Sequence, residues 1–270
     1  MTIKNTLMGK QQLEPLLLGM LLTASLAACS AGNSTSTVPG PGSAALGSSA
    51  SLGRSASPVQ PATSQAFVKL RSASSFAILA GSTVTNTGPS QIFGNVGISP
   101  GTAITGFPPG EIHGNLHAGD AVAKQAELDL TRAYDDAMDR HRGAVKVAGN
   151  IGGQTLAPGL YKSTSSLAIS SGDLTLDARG DSDAVFIFQI ASKFTMTTGR
   201  MVILTHGARA RNIFWAVGSS ATLGTGCSFY GNLLVHQSIS METGTVIVGR
   251  ALTRVAAVTM QRNTIVKPPL

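Results

Sequence analysis

Ala168-Ile-Ser-Ser-Gly172, Thr195-Met-Thr-Thr-Gly199, Thr222-Leu-Gly-Thr-Gly226, Ser240-Met-Glu-Thr-Gly244 and Thr259-Met-Gln-Arg-Asn263 align beneath one another without a gap. Each carries an apolar residue in second place and closes on Gly or Asn, which accept the positive φ of a tight turn. A short strand and a turn that recur together mark a solenoid: one coil cannot bury its apolar side alone, and the next coil covers it. The closing positions 172, 199, 226, 244 and 263 fall at unequal intervals, as coils of unequal circumference require. Thr83-Val-Thr-Asn-Thr-Gly88 reads as a further coil, separated from the others in sequence. In this alignment Val84, Ile169, Met196, Leu223, Met241 and Met260 point inward as one ladder, and Val185-Phe-Ile-Phe188 and Ile213-Phe-Trp-Ala216 supply core bulk. The expected fold is mainly β, a right-handed β-helix.

Any position that repeats from coil to coil becomes a straight row with a spacing of ~4.8 Å. One outward row is Ser171, Thr198, Thr225 and Thr243, with Arg262 next; a second is Thr83, Thr195, Thr222, Ser240 and Thr259, broken by Ala168. Thr197 and Thr245 lie beside them. A threonine row offers methyls that restrict water and hydroxyls that fix a few waters in place, so a flat row can hold an ordered water layer. Threonine ladders also stabilise exposed β surface with no ligand at all.

Outside the repeats one segment reads as a helix, Asp120 to about His141, with Ala126, Leu130, Ala133, Tyr134, Ala137 and Met138 forming an apolar stripe. Asp120 suits an N-cap and Gly143 a C-terminal stop. Glu127, Asp129, Asp135, Asp136, Asp139 and Arg140 fall mainly off the stripe, on a face read as solvated.

At the N-terminus, Lys4 and Lys10 precede an apolar stretch that ends in Leu26-Ala27-Ala28-Cys29. The stretch is shorter than the ~20 residues that span a bilayer, which makes residues 1–28 an export signal. The last four residues resemble the lipobox of bacterial lipoproteins, which implies that Cys29 is lipidated and anchors the mature chain to the cell envelope. Ser30 resembles the sorting pattern for an outer membrane, where the host has one. Residues 29–66 are rich in Ser, Gly, Ala and Pro and cannot bury enough surface to order themselves, so they read as a tether. The domain begins at Phe67 and runs to Leu270.

The net charge is +7, and removing residues 1–28 leaves the chain mildly basic. Lys and Arg are scattered and aromatic residues are only 5%, which argues against a nucleic-acid reader. With Cys29 lipidated, Cys227 has no disulfide partner in the chain and reads as a small buried residue. His113 and His117 have a ligand-like spacing, but the intervening Gly114-Asn115 disfavours a helix and no third ligand follows, so no metal site is expected. Asp173, Asp177, Asp181 and Asp183 cluster near Gly180, where Asp serves turns; carboxylates do not recur on adjacent coils to line a catalytic groove. The chain is read as no enzyme and as needing no cofactor.

Phe76-Ala-Ile-Leu79, Gly94-Asn-Val-Gly97 with Ser99-Pro100, Thr105-Gly-Phe107, Gly149-Asn-Ile-Gly-Gly153, Leu156-Ala-Pro-Gly-Leu-Tyr161, Phe186-Ile-Phe-Gln-Ile190, Asn212-Ile-Phe-Trp215 and Gly249-Arg-Ala-Leu252 follow in order. In these motifs, which cover nearly everything from Leu70 onward, the chain resembles the bacterial and fungal ice-binding family. The resemblance implies a triangular, discontinuous β-helix with one long helix along its axis, and binding to an ice crystal through a flat face. The short passage from Phe107-Pro-Pro-Gly110 to Asp120 implies a version without an extra capping subdomain. Ice contacts are expected at Ser171, Thr195, Thr197, Thr198, Thr222, Thr225, Thr243 and Thr245, in a chain that acts as a monomer. In the family's ice-face pattern, Thr is followed by Ala or Gly, any residue, then Thr or Asn. Aligned on the Gly, the fourth place here holds Leu174, Met201, Ser228, Val246 or Ile265, and the third place Asp173, Arg200, Cys227 or Thr245. A surface adhesin or structural module would use the same ladders without ice, and a β-helical glycan enzyme is the third class.

Overall fold

A computed structural model describes residues 64–269. The expected export signal, Cys29 and the expected tether as far as residue 63 lie outside the described residues.

The coils stack in an order that the chain does not follow. It starts inside the stack, where Phe76–Ala80 pairs in parallel with Val246–Thr253 on one side and Asn95–Ile98 on the other. Two coils build outward from there, ending in the short strands Ala103–Thr105, Glu111–His113 and Leu116–Ala118. Helix α1, Ala121–Asp139, then carries the chain to the opposite end. From Ala144–Lys146 onward the coils build back toward the first ones and meet them where Val258–Gln261 pairs with Thr83–Thr87 and Thr264–Val266 with Gln91–Phe93. The result is a discontinuous, three-sided β-helix in which every recorded strand pair is parallel.

One side is an eight-stranded sheet running from Gly149–Asn150 through Leu167–Ile169, Phe194–Met196, Ala221–Leu223, Ile239–Met241, Val258–Gln261 and Thr83–Thr87 to Ala103–Thr105. A second side carries α1. The third holds Thr155–Leu156, Leu174–Asp177 and Val202–Thr205 and continues through Thr264–Val266 and Gln91–Phe93. Ser228–Val235 and Val246–Thr253 pass from the third side to the second across Gly231 and Gly249. A Cβ on Gly249 would sit 1.8 Å from the Gly231 carbonyl oxygen, so only glycine lets the two coils approach here.

Inside, Tyr161, Phe188 and Trp215 occupy one register position on adjacent coils, their rings stacked 5.3 and 3.9 Å apart. Leu233 and Ala251 continue the row, and Ile78 of the first strand follows. The expected inward ladder of Ile169, Met196, Leu223, Met241 and Met260 is present. Val84 is not in it: Val84 pairs with Val258, and Asn86 sits in the methionine row, 5% exposed. Inward and outward positions alternate with a period of two, so a two-residue shift leaves every side chain on its own face and hydropathy cannot detect it. Asn86 is tolerated there because its amide donates to the Gly88 and Gly106 carbonyls and its oxygen accepts from Ser90.

Helix α1 starts where Asp120 accepts from the Ala123 amide at 2.8 Å. Ala123, Ala126, Leu130, Ala133, Tyr134 and Ala137 are buried on it, and the alanines let the helix lie close over Phe76, Leu79, Leu160, Ile187, Phe214, Leu234 and Leu252. It ends at Asp139, short of the expected His141, because Arg140 is already extended. Its last carbonyls are capped from the sheet: Gln189, 1% exposed, donates to those of Ala137, Met138 and Arg140. Two acids read as solvated are covered. Asp129 is 4% exposed and holds Ser72 at 2.6 Å and Arg132 at 2.8 Å, which ties the entering segment to the helix. Glu127 is largely buried, and both its carboxylate oxygens lack a hydrogen-bond partner.

Candidate functional site

The eight-stranded sheet presents its outward side chains in rows that the strand register fixes. The central row runs Thr105, Thr85, Thr259, Ser240, Thr222, Thr195, Ala168, Asn150. Six consecutive coils therefore carry a hydroxyl at one position. The first two belong to the coils built first and the other four to those built last. Thr83, expected in this row, pairs with Ala103 and lies one row over. Thr85 takes its place, the outward counterpart of the shift that puts Asn86 among the methionines.

A parallel row borders the sheet. Ser171, Thr198, Thr225 and Thr243 each precede a glycine in the left-handed region, with φ of 88°, 70°, 65° and 75° at Gly172, Gly199, Gly226 and Gly244. The Gly199 amide donates to the Thr225 carbonyl and the Gly226 amide to that of Thr243, which keeps this border in step. At the next coil the Gly244 amide donates to Gln261, and Arg262 takes the left-handed place with φ of 52°. The row therefore continues through Gln261 and Thr87, and not through Arg262 as the alignment on Asn263 implies. This turn is one residue shorter than those before it, so aligning on the closing residue misplaces everything within it. Thr243 donates to the Gln261 side chain at 2.5 Å, which ties the two coils at the surface.

A third row escaped the sequence reading: Ser166, Lys193, Ser220, Ser238, Ala257 and Thr83, with Ser220 and Ser238 hydrogen-bonded at 3.0 Å. Its signal was a serine three places before the inward residue in three of the repeats, Ser166, Ser220 and Ser238. Lys193 and Glu242, with Arg262 at the border turn, are the charges beside these rows; apart from Lys193, Asn150 and Gln261, the rows hold small or hydroxyl-bearing side chains. Thr197 is exposed, with its hydroxyl turned back to the Ile169 and Ser170 carbonyls.

Thr245 is not on the surface. It is fully buried and donates to the Gly224 carbonyl at 2.9 Å, in the same inward place as Cys227 and Asn263. The residue after the left-handed glycine turns into the core, so Thr245 has no access to a ligand. Leu174 and Ile265 are inward and fully buried as well; the outward place beyond the turn holds Met201, Ser228, Val246, Thr264, Gln91 and Glu111. Asp173 and Arg200 approach each other to 3.7 Å past the turn, off the eight-stranded sheet.

The remaining candidates hold ordinary structural partners. His113 bonds Gln91 at 2.7 Å and stacks on Phe93, while His117 bonds Asp120 at 2.8 Å. Asp177 accepts from the Arg179 amide and from His206, and these bonds, the backbone one foremost, hold its carboxyl below the usual range. Asp181 accepts from the Asp183 amide within the same turn. Cys227 donates to the Thr197 carbonyl at 3.1 Å and is buried. Among the described residues no three His, Cys, Asp or Glu side chains gather as metal ligands.

A family model described as ice-binding-like matches residues 78–266, which spans the β-helix from its first strand to its last. The chain belongs to the ice-binding-like family. An ice-binding protein of Nostoc sp. (strain HG1) is 45% identical over 195 residues, covering 72% of each chain, and one of Flavobacterium frigoris (strain PS1) is 38% identical, covering 74% of this chain and 76% of its own. Among solved structures, an ice-binding protein from an Antarctic biological consortium superposes with a TM-score of 0.76 at 55% identity, over 78% of this chain and 96% of that one. The antifreeze ice-binding protein of an Arctic yeast superposes with a TM-score of 0.70 at 34% identity, over 76% of this chain and 95% of the other.

Proposed function

We propose that the protein binds ice through the eight-stranded sheet, with Thr105, Thr85, Thr259, Ser240, Thr222 and Thr195 as the central contact row and Ser171, Thr198, Thr225, Thr243 and Thr87 along its border. The observation that carries this reading is the register: six hydroxyl side chains on six consecutive coils, none displaced to the next row. Beneath them lies a packed inward layer, so little conformational freedom is left to lose when water orders against the surface. The threonine methyls restrict the orientations of that water and the hydroxyls of both threonine and serine pin it, which favours a layer continuous with a crystal. Affinity is the sum of many small contacts over a rigid face, with no single indispensable group.

The finer reading places the protein outside the cell. Cys29, acylated after removal of residues 1–28, holds it to the envelope, and the Ser/Gly-rich segment lets the domain reach away from the membrane. No helix among the described residues is long and apolar enough to cross a membrane. Ser30 directs it to an outer membrane where the host has one, and the domain acts there as a monomer. Supporting this arrangement, the described chain enters beside the helix-bearing side, with Phe67 against Phe214, so the threonine sheet is turned to another side of the triangle. Ice-recrystallisation inhibition and ice-crystal shaping test the binding; a chain that leaves crystal growth and shape unchanged would sink it. Loss of incorporated radiolabelled palmitate on Cys29→Ser tests the anchor, and retained label would refute it.

A further inference from the structure

Arg250 is 2% exposed, yet no carboxylate among the described residues lies within ion-pair distance of it. Its Nη1 donates to Asn232 Oδ1 at 2.7 Å, and its Nε and Nη2 donate to the Ser74 carbonyl at 3.1 and 2.8 Å. Both acceptors are neutral, so the hydrogen bonds satisfy geometry and leave the charge uncompensated. Burial pushes its pKa down to about 10. The arginines nearby on and against α1 are treated differently: Arg132 pairs with Asp129, Arg140 with Asp136 and Arg254 with Asp135.

Arg250 forms part of the wall of a cavity of about 600 Å³ that Lys69, Arg71 and Arg211 also line. None of these three has an ion pair among the described residues. Asp183 is the single acid on the wall, and Phe67 and Leu70 give it an apolar side. Lys69, Arg71, Arg211 and Arg250 outnumber the one acid among the residues that line it, so the lining carries a net positive charge, and arginine forks match the oxygens of a tetrahedral anion. We infer that this cavity is an oxyanion site that takes a phosphate group, with the apolar side accommodating whatever the phosphate is attached to.

The site stands apart from the threonine sheet. It lies at the corner where the third side passes to the helix-bearing side, beside the segment through which the described chain enters. A phosphate there leaves the threonine rows free. If the phosphate belongs to an anionic phospholipid, the pocket holds the domain against the membrane with the threonine sheet turned elsewhere; if it is free phosphate, the pocket is a small-ion site.

The test uses the whole chain carrying Cys29→Ser, so that no acyl group contributes. Calorimetric titration with inorganic phosphate is run beside co-sedimentation with phosphatidylcholine vesicles, with and without phosphatidylglycerol. Both are repeated on Lys69→Gln/Arg211→Gln, whose fold is checked by circular dichroism. Saturable binding, weakened about tenfold or more in the double variant, supports the site. Heat with phosphate identifies the free ion as a ligand, and sedimentation only with phosphatidylglycerol vesicles identifies the lipid headgroup. Absence of both at millimolar phosphate and excess vesicle overturns the inference, and so does binding that the double variant retains in full.

Discussion

Thr85 and Thr259 stand side by side on adjacent coils, paired in parallel register although nearly the whole domain separates them in the chain. They meet at the seam where the first-built coils join the last-built ones, and the hydroxyl row crosses that seam without a step. The face therefore exists only when the discontinuous solenoid has closed, and anything that opens the seam divides the row in two.

Ala168 is the first gap in the row, between Thr195 and Asn150. Ala168→Thr extends the run of hydroxyls by one coil on a half-exposed outward position. The expected outcome is stronger ice-recrystallisation inhibition at equal concentration, with stability changed by less than about 0.5 kcal/mol. Unchanged or reduced inhibition by a folded variant would count against the row as the contact line.

Burial raises the Glu127 pKa to about 9, with the Arg254 charge opposing the shift. A carboxyl ionised in the unfolded chain but protonated in the folded one binds more protons when folded. Its contribution to stability is thus greatest below its unfolded pKa and is lost as pH rises toward 9. Glu127→Gln, which stays neutral, is expected to be more stable than the parent at pH 8, on the order of 1–3 kcal/mol. The two should converge near pH 4. Thermal unfolding at both pH values checks this, and a difference that does not grow with pH would be the contrary result.

Phe188 lies between Tyr161 and Trp215 in the inward stack. Phe188→Ala leaves a cavity flanked by two large rings that cannot close over it, a loss of roughly 3–5 kcal/mol. Chemical denaturation should show that drop in the midpoint. A cost below about 1 kcal/mol would mean that the core is not packed as described.

Cys227 is fully buried, and burial raises its thiol pKa. Iodoacetamide should leave it unmodified in the native protein and label it fully in urea, as read by mass spectrometry. Rapid labelling of the native state would show that the turn after Gly226 opens.

Much of the fold is legible in the sequence because its two periods are strong. The recurring apolar second residue and the closing glycine identify the coils, and the alanine-rich stripe with Asp120 at its head identifies α1. What stayed hidden lies in register and turn length. A two-residue slip preserves every inward and outward assignment, so Val84 stood where Asn86 belongs and Thr83 where Thr85 belongs. One missing residue in the turn after Met260 put Arg262 in the threonine row, although its backbone has taken the glycine's left-handed place. Thr245 looked like a surface threonine because its neighbours are; only the direction of the chain after Gly244 shows that it turns inward. Glu127 and Asp129 read as solvent-facing because helical periodicity describes one packed face, whereas the entering segment around Ser72 holds Asp129 and Glu127 lies near Arg254 of the coils.

The threonine sheet as the ice-binding face is tested most directly by placing the same bulky residue on two sides of the triangle. Thr222 sits in the central row of the eight-stranded sheet, and Thr175 points outward on the third side, paired with Thr155 and Ile203. Thr222→Tyr and Thr175→Tyr are compared for ice-recrystallisation inhibition and crystal shaping after circular dichroism has confirmed equal folding. Loss of activity in Thr222→Tyr with retention in Thr175→Tyr is the predicted result; activity that survives in the first and disappears in the second would place ice on the other side.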